Sequence, residues 1–460
     1  MLKKSKKKSM RHRFFAPQNI KRRMQAMLGA GILSIINMIS KKAKDEGVRV
    51  YLVGGFVRDM ILGVKNYDLD VVVEGDAIGF ASVMARVLKG SLVAHHRFGT
   101  ATVIKGRRLI RSFAGIKTAN NIRIDFAAAR REFYEKPAVL PAVEFAGIKE
   151  DLFRRDFTIN AMAVSINSDD FGRLISCFGA KEDLEKGIIR ALHDKSFIDD
   201  PTRIFRAVRF EQRFGFKIEE HTAGLIKNAV DLKMFERTHP HRIKDEMTAI
   251  LKEKEALNAV KRMDELHELR FIHPNIVFNS KIRRSFRSID KTVKWFAARN
   301  GKDNEFDAWL LYFTALLDNV PHGQAGRLMD KFGMSNEDRG KVLLHKSRSA
   351  LIIKFLSDGR IKAPSRIFRT LEGLSCENIL MLIAGADNKK AKKRICDFLD
   401  KYKDIKLKID GVDLKRAGVK PGPRFGRALE MTLDAKIDGK LRKRGDELLF
   451  AQQVYNNQIR

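Results

Sequence analysis

Residues 51–76, YLVGGFVRDMILGVKNYDLDVVVEGD, hold two apolar strand-like runs joined by a glycine pair and a short helical stretch. The first run stops at Gly54-Gly55, and Val57 to Leu62 then starts a helix. The second, Tyr67 to Val73, is rich in residues that favour a pleated, half-buried surface, yet it contains Asp68 and Asp70. Residues i and i+2 of a strand face one side, so both carboxylates stand together. Like charges this close repel unless a cation sits between them; magnesium takes oxygen ligands and bridges phosphates. An isolated Asp-x-Asp more often marks a strand end, with one aspartate in a turn and the other in water. This one follows glycines that let the backbone approach a phosphate, a helix N-terminus that favours anions, and Arg58 as a fixed cation. The combination of Gly54, Gly55 and Arg58 with Asp68 and Asp70 reads as a triphosphate cradle beside a metal site.

Outward from this unit, as far as about Ile166, strand-like runs (LDVVV, TATVI, IRIDFAA) alternate with helical ones (AIGFASVMARVLKG), which indicates one α/β domain. Asp125 in IRIDFAA is either a strand-end charge or a third carboxylate of a two-metal site. His95 and His96, adjacent in a strand, face opposite ways and read as strand-edge residues. Gln25 to Lys44 has the apolar spacing of one amphipathic helix. Before it lies a basic arm, MLKKSKKKSMRHRFF, without the apolar stretch of a secretory signal and suited to non-specific RNA affinity. Beyond about Gly187 a three-to-four-residue periodicity takes over, and the remainder reads as helical. The expected organisation is an arm and helix over 1–45, a head over 46–166, a helical neck over 167–270 and a helical body and tail over 271–460.

The chain has 460 residues, 44% of them apolar, and a formal net charge of +34. Such an excess points to a polyanionic partner, nucleic acid or an acidic membrane surface. No apolar run is long enough to span a bilayer, so no membrane insertion is expected. The three cysteines, Cys177, Cys376 and Cys396, lie far apart and imply reduced thiols and a cytoplasmic setting.

Three ordered motifs, YLVGGFVRDMILGVKNYDLDVVVEGD, EDLFRRDFTINAMAV and DDPTRIFRAVRFEQRFGF, resemble those of the bacterial-type (class II) tRNA nucleotidyltransferase and poly(A) polymerase family, within the polymerase-beta-like superfamily. The resemblance runs from about Tyr51 to Phe216, weakens through HRIKDEM and returns in GVDLKRAGVKPGPRFG. It implies an α+β fold, with a nucleotidyltransferase head followed by an all-helical neck, body and tail that hold tRNA. By the same resemblance Asp68 and Asp70 bind Mg2+, while Gly55 and Arg58 contact the incoming nucleotide. Arg155 would meet the triphosphate, Asp156 the ribose hydroxyls, and Asn160 would brace the site.

Asp200-Pro201-Thr202-Arg203 is a good helix start, with Asp at the cap and Pro at the first position. Capping does not explain Arg203, Arg206 and Arg209, which recur every three residues along one side. A carboxylate only accepts hydrogen bonds and a guanidinium only donates them. Side by side, Asp200 and Arg203 complement the amino group and ring nitrogen that adenine and cytosine present. They mismatch guanine and uracil, so ATP and CTP are the expected substrates without a template. The family assigns Asp200 and Arg203 this role and makes Arg206 and Arg209 further nucleotide contacts.

Two departures stand out. Asp199 occupies a place where many relatives have glutamate, and LISCFGAKEDL replaces a commoner acidic-Pro-Phe-Gly-Gly stretch. Relatives that add only cytidines lack an arginine-bearing loop; this chain keeps Arg130 and Arg131. Arg424 and Arg427, in a Pro-Gly turn leading into a helix, are either phosphate contacts or surface charge. The expected activity is template-independent addition of C, C and A to the tRNA 3′ end. The alternatives are addition of the terminal A alone, poly(A) polymerase and a catalytically inactive RNA-binding homologue.

Overall fold

β1 (Arg49–Val53) is buried from Val50 onward and ends where Gly54 takes φ +67°, a conformation that an L side chain rarely adopts. The chain turns directly into the helix Gly55–Leu62 and returns as β2 (Leu69–Glu74), antiparallel to β1. This computed structural model describes residues 18–66, 68–105, 122–133, 138, 141–300, 306–420 and 422–457. Tyr67 and residues 1–17, which carry most of the basic arm, lie outside them.

β1 and β2 are the centre of a seven-stranded mixed sheet. Its other members are β3 (Ser91–His95), β4 (Thr100–Lys105), β5 (Ile122–Ala128), β8 (Met162–Ser165) and β9 (Leu174–Ser176), in the order β3-β4-β5-β2-β1-β8-β9. β6 (Arg130–Phe133) and β7 (Ala142–Phe145) form a separate antiparallel ribbon. Within the sheet only β2 and β5 run parallel, and their register sets Asp70 beside Asp125. The helix Ala77–Leu88 covers β3, β4 and β5, with Phe80 edge-on to Phe126 at 5.8 Å. The other face is closed by Tyr51, Val53, Val72, Leu152 and Ala163.

The expected helix over Gln25–Lys44 is two helices, Lys21–Met27 and Ala30–Asp45. They part at Gly29, whose extended backbone lets the second swing Ile32, Ile35, Ile36 and Ile39 into the core. His95 closes β3 and His96 opens a short turn, both exposed. The region after Gly187 is helical as its periodicity implies, apart from the two-residue strands β10 (Ile188–Ile189) and β11 (Lys217–Ile218).

The chain divides into two compact units. One comprises the sheet and the helices up to Glu246, together with 253–271; the other comprises 247–252 and 272–460. The second unit is helical. Ser280–Asn300 and Asn336–Ser357 pack around Cys376–Gly385, with Phe286, Phe313 and Leu380 in its core. Its last helices enclose Leu414, Val419 and Ala451, and Asp410 and Asp413 form a capping box at Gly411. Among the described residues no helix is long and apolar enough to cross a membrane.

Candidate active site

The helix N-terminus after β1, the start of β2, the Arg154–Asn160 segment and the helix Thr202–Phe214 converge on one cleft of about 670 Å3. Asp68 and Asp70 line it, but β2 begins only at Leu69, so Asp68 precedes the strand. Asn66 explains this: its side-chain oxygen accepts the Asp68 amide at 3.0 Å, an Asx turn that holds the backbone out of the ladder. Among the described residues neither carboxylate has an ion-pair partner. Burial pushes the Asp70 carboxyl up to about 6; Arg155 opposes this, while Asp125 and Asp68 reinforce it. A half-buried carboxylate raised by its acidic neighbours is what a divalent cation relieves, and the donor set fits a hard ion such as magnesium.

Asp125 is differently placed. It neighbours Asp70 in the sheet, but its carboxylate accepts from Arg123 Nε at 2.9 Å and Thr102 Oγ1 at 2.5 Å, and it does not line the cleft. Among the described residues no group of three or more His, Cys, Asp or Glu side chains converges as a metal site.

The phosphate side is built around Gly54 and Gly55. A Cβ on Gly54 would sit 2.8 Å from Arg155 Nη1, so a side chain there would displace that guanidinium, but it is the positive φ that favours glycine. Arg155 is anchored through Nη2 to Asp151 at 2.9 Å, and its Nε is buried without a hydrogen-bond partner. Arg58 is 4% exposed; it pairs with Asp59 at 2.8 Å, donates to Asn160 Oδ1 at 2.5 Å, and lies over the rings of Phe210 and Phe214. Asn160 in turn donates to Asp156 Oδ1 at 2.9 Å, which links the glycine turn to the Arg-Arg-Asp motif.

Asp156 joins that chain to the helix Thr202–Phe214. Its Oδ2 alone accepts from both Arg206 Nε and Nη2, at 2.8 and 2.6 Å, a charge-assisted pair on one oxygen. Burial alone would raise this carboxyl; Arg206 and the Asn160 amide instead hold it at about 2. Arg206 and Arg209 both face Glu246, at 3.2 and 3.6 Å. Arg203 is buried and oriented by Ser196 Oγ and the Arg154 carbonyl, each at 2.8 Å. Asp200 accepts from Thr202 and from Arg242 Nη2 at 2.7 Å; burial opposes ionisation, but Arg242 and Thr202 keep its carboxyl below the ordinary range.

The structure therefore brings Gly54, Gly55, Arg58, Asp68, Asp70, Arg155, Asp156, Asn160, Asp200, Arg203, Arg206 and Arg209 to one cleft. Asp199 lines a neighbouring depression instead. Sequence reasoning missed Arg154, Arg213, Arg242 and Glu246. The last two sit one turn apart in the helix Pro240–Leu251, and that i,i+4 spacing of opposite charges was the available signal. Among the described residues nine arginines line the cleft against six carboxylates, so it is net cationic and suited to a polyphosphate.

Residues 50–190 match the poly A polymerase head domain, and residues 215–278 match the probable RNA and SrmB-binding site of polymerase A. The chain is 35% identical over 426 residues to an A-adding tRNA nucleotidyltransferase of Geobacter sulfurreducens, covering 92% of this chain and 47% of that one. It is 30% identical to the A-adding tRNA nucleotidyltransferase of Halalkalibacterium halodurans, covering 92% and 93%. Its fold is shared with the Thermotoga maritima CCA-adding enzyme solved in complex with tRNA, at a TM-score of 0.71, 33% identity and 96% and 98% coverage. The chain thus spans about half the length of the Geobacter relative but nearly all of the other two. A head of this sheet topology with this cleft defines the nucleotidyltransferase class. Within it, the chain belongs to the tRNA nucleotidyltransferase and poly(A) polymerase family.

Proposed function

We propose that this protein adds nucleotides to the 3′ end of tRNA without a template, using CTP and ATP, and completes the C-C-A sequence. The observation that carries the reading is the presence of Asp200 and Arg203 in the same cleft as Asp68 and Asp70. One carboxylate and one guanidinium, each fixed by its own protein partners, offer an acceptor beside donors to the incoming base. Arg203 spends two of its five N–H groups on Ser196 and Arg154, which leaves others for a ligand. Arg155 and the Gly54-Gly55 turn bind the triphosphate. Asp156, held ionised by Arg206, accepts hydrogen bonds from ribose hydroxyls, and Asn160 keeps it in line with Arg58.

The tRNA 3′ oxygen attacks the α-phosphorus of the nucleotide, a new phosphodiester bond forms, and pyrophosphate leaves. Asp68 and Asp70 would hold magnesium, which when bound would supply neutralising charge at the triphosphate and lower the pKa of the attacking hydroxyl. The protein's own contribution is positioning and charge complementarity. Asp125 belongs to this proposal as a supporting carboxylate that raises the charge density at Asp70. The net charge of +34 suits a tRNA partner, and the three free cysteines suit a cytoplasmic setting.

A second reading, addition of the terminal A alone, is favoured by the names of the Geobacter and Halalkalibacterium relatives. Incubating the protein and magnesium with tRNA transcripts ending before C-C-A, after C and after C-C separates the two. CTP and ATP are supplied alone and together. Stepwise C, C and A addition supports the first reading; A added only to the C-C end replaces it with the second. Long A-tails on unrelated RNA would make the protein a poly(A) polymerase.

A further inference from the structure

A second depression, of about 600 Å3, shares Arg203, Arg154 and Glu132 with the nucleotide cleft but has a different lining. Three rings meet there. Phe153 lies 5.3 Å from Phe178 and 5.6 Å from His193, centroid to centroid. Phe153 and Phe178 are 45% and 43% exposed, so the cluster has an open apolar face. Phe178 also adopts φ +58°, the left-handed region that costs a bulky residue energy. It shares this with Gly179 at φ +69°, in a tight turn closed by the Ala180 amide on the Cys177 carbonyl at 3.1 Å, and that turn leaves the ring at the surface.

The surroundings are cationic. Five basic side chains line the depression against the three carboxylates Glu132, Glu150 and Asp199. Arg131, Arg154 and Arg203 are already engaged by protein acceptors, while Lys149 and Lys195 are exposed and have no ion-pair partner among the described residues. Exposed rings flanked by free lysines are the elements of a single-stranded nucleic-acid platform, where stacking tolerates any base and lysines take phosphates. A free nucleotide is the poorer occupant, because the lining offers no glycine turn and no metal-binding carboxylate pair like those of the first cleft.

We propose that the Phe153–Phe178–His193 depression stacks an unpaired base of the RNA strand being elongated, with Lys149 and Lys195 on the neighbouring phosphates. The identity of that strand as tRNA rests on the function proposed above; the stacking does not. The test uses the full chain and two probes. One is a short unstructured RNA carrying 2-aminopurine near its 3′ end; the other is a tRNA transcript lacking C-C-A.

Phe153→Ala is expected to weaken binding of both probes and raise the KM for tRNA about tenfold, within the range of one lost stacking contact. It should abolish 2-aminopurine quenching and leave kcat and the KM for ATP unchanged. Phe153→Tyr should restore all of these, which a merely destabilised head would not show. Lys149→Ala should reduce the salt slope of RNA affinity by about one. Unchanged RNA affinity in a Phe153→Ala, Phe178→Ala double variant overturns the inference, as does an equal rise in the KM for ATP. Quenching that depends on Phe153 in a protein that adds nothing to tRNA would sink the proposed function and leave this site standing. Elongation of tRNA with quenching indifferent to Phe153 would do the reverse.

Discussion

The two compact units use charge in opposite ways. In the first, charged side chains are buried and tied to one another: Arg58 is 4% exposed, and Asp156 joins Arg206 on the neck helix to Asn160 and thence Arg58. In the second, apolar helices make most of the core and most charges stand outside it, as with Lys294, which is 74% exposed where it meets Asp290; Glu377 and Glu447, buried against Lys341 and Lys436, are the exceptions. A buried pair fixes geometry, and breaking it leaves an uncompensated ion; a surface pair contributes little, and its lysine is mainly a source of field. The first arrangement suits chemistry at a fixed point, the second a polyanion held by many weak contacts.

The largest break in that contrast should come from Asp70→Ala. Losing a carboxylate from the proposed metal site should remove several kcal/mol of charge stabilisation, or about a thousandfold or more in kcat, with folding intact. Nucleotide incorporation and a thermal melt measured on one preparation check both halves. Next comes Asp156→Ala, which strands Arg206 and Asn160. Glu246 still pairs with Arg206, so the loss of stability should fall toward the lower end of the roughly 3–5 kcal/mol typical of a broken buried pair. Urea denaturation reads it; a loss below about 1 kcal/mol would show that the network does not hold the cleft together.

The pH response of Asp70 is smaller and its sign is fixed. With the folded carboxyl at about 6, the metal-free protein keeps a proton that the unfolded chain has already released. Its contribution to stability is therefore fully present below the ordinary carboxylate range and is lost as pH rises through about 6. Metal needs the ionised form, so magnesium affinity should fall about tenfold per pH unit below that point. Titration by calorimetry at several pH values measures this, and Asp70→Asn should flatten the dependence.

Much of the head was legible because its signals are local. The strand, the Gly-Gly stop and the helix after it each follow from neighbouring residues, as does a helix start near Asp200, although the helix begins one residue later than expected, at Thr202 after Pro201, with the Asp200 carboxylate accepting the Thr202 amide at 3.1 Å. What was hidden depended on neighbours distant in sequence or on competition within a turn. No apolar pattern states that β5 pairs beside β2, so the Asp70–Asp125 register was out of reach. Asp68 looked like a strand residue because the capture of its amide by Asn66, two residues before it, is a local competition between a turn and a ladder that an apolar pattern does not show. Arg242 and Glu246 stand in HRIKDEM among charges of both signs, and only the fold carries that helix to Asp200 and Arg206.

Gly54→Ala tests the same boundary between local and distant causes. Its φ of +67° strains any side chain, and the new methyl would meet Arg155 Nη1 at 2.8 Å. The guanidinium end can shift, so the strain of about 1–3 kcal/mol should dominate stability, while a displaced Arg155 raises the KM for ATP and leaves RNA affinity alone. Stability loss without a change in KM would separate the backbone's need for glycine from any role for Arg155 at the triphosphate.

Lys294→Ala marks the small end of the comparison. Its ammonium lies 3.0 Å from Asp290, but both groups are largely in water, and Asp290 keeps the hydrogen bond from the Tyr312 hydroxyl at 2.7 Å. Removing the lysine therefore strands nothing: the carboxylate is resolvated on one side and still bonded on the other. The change in stability should stay within about 0.5 kcal/mol. A loss comparable to that of Asp156→Ala would mean that charge in the helical unit also holds structure, and the contrast between the two units would then have to rest on their shapes alone.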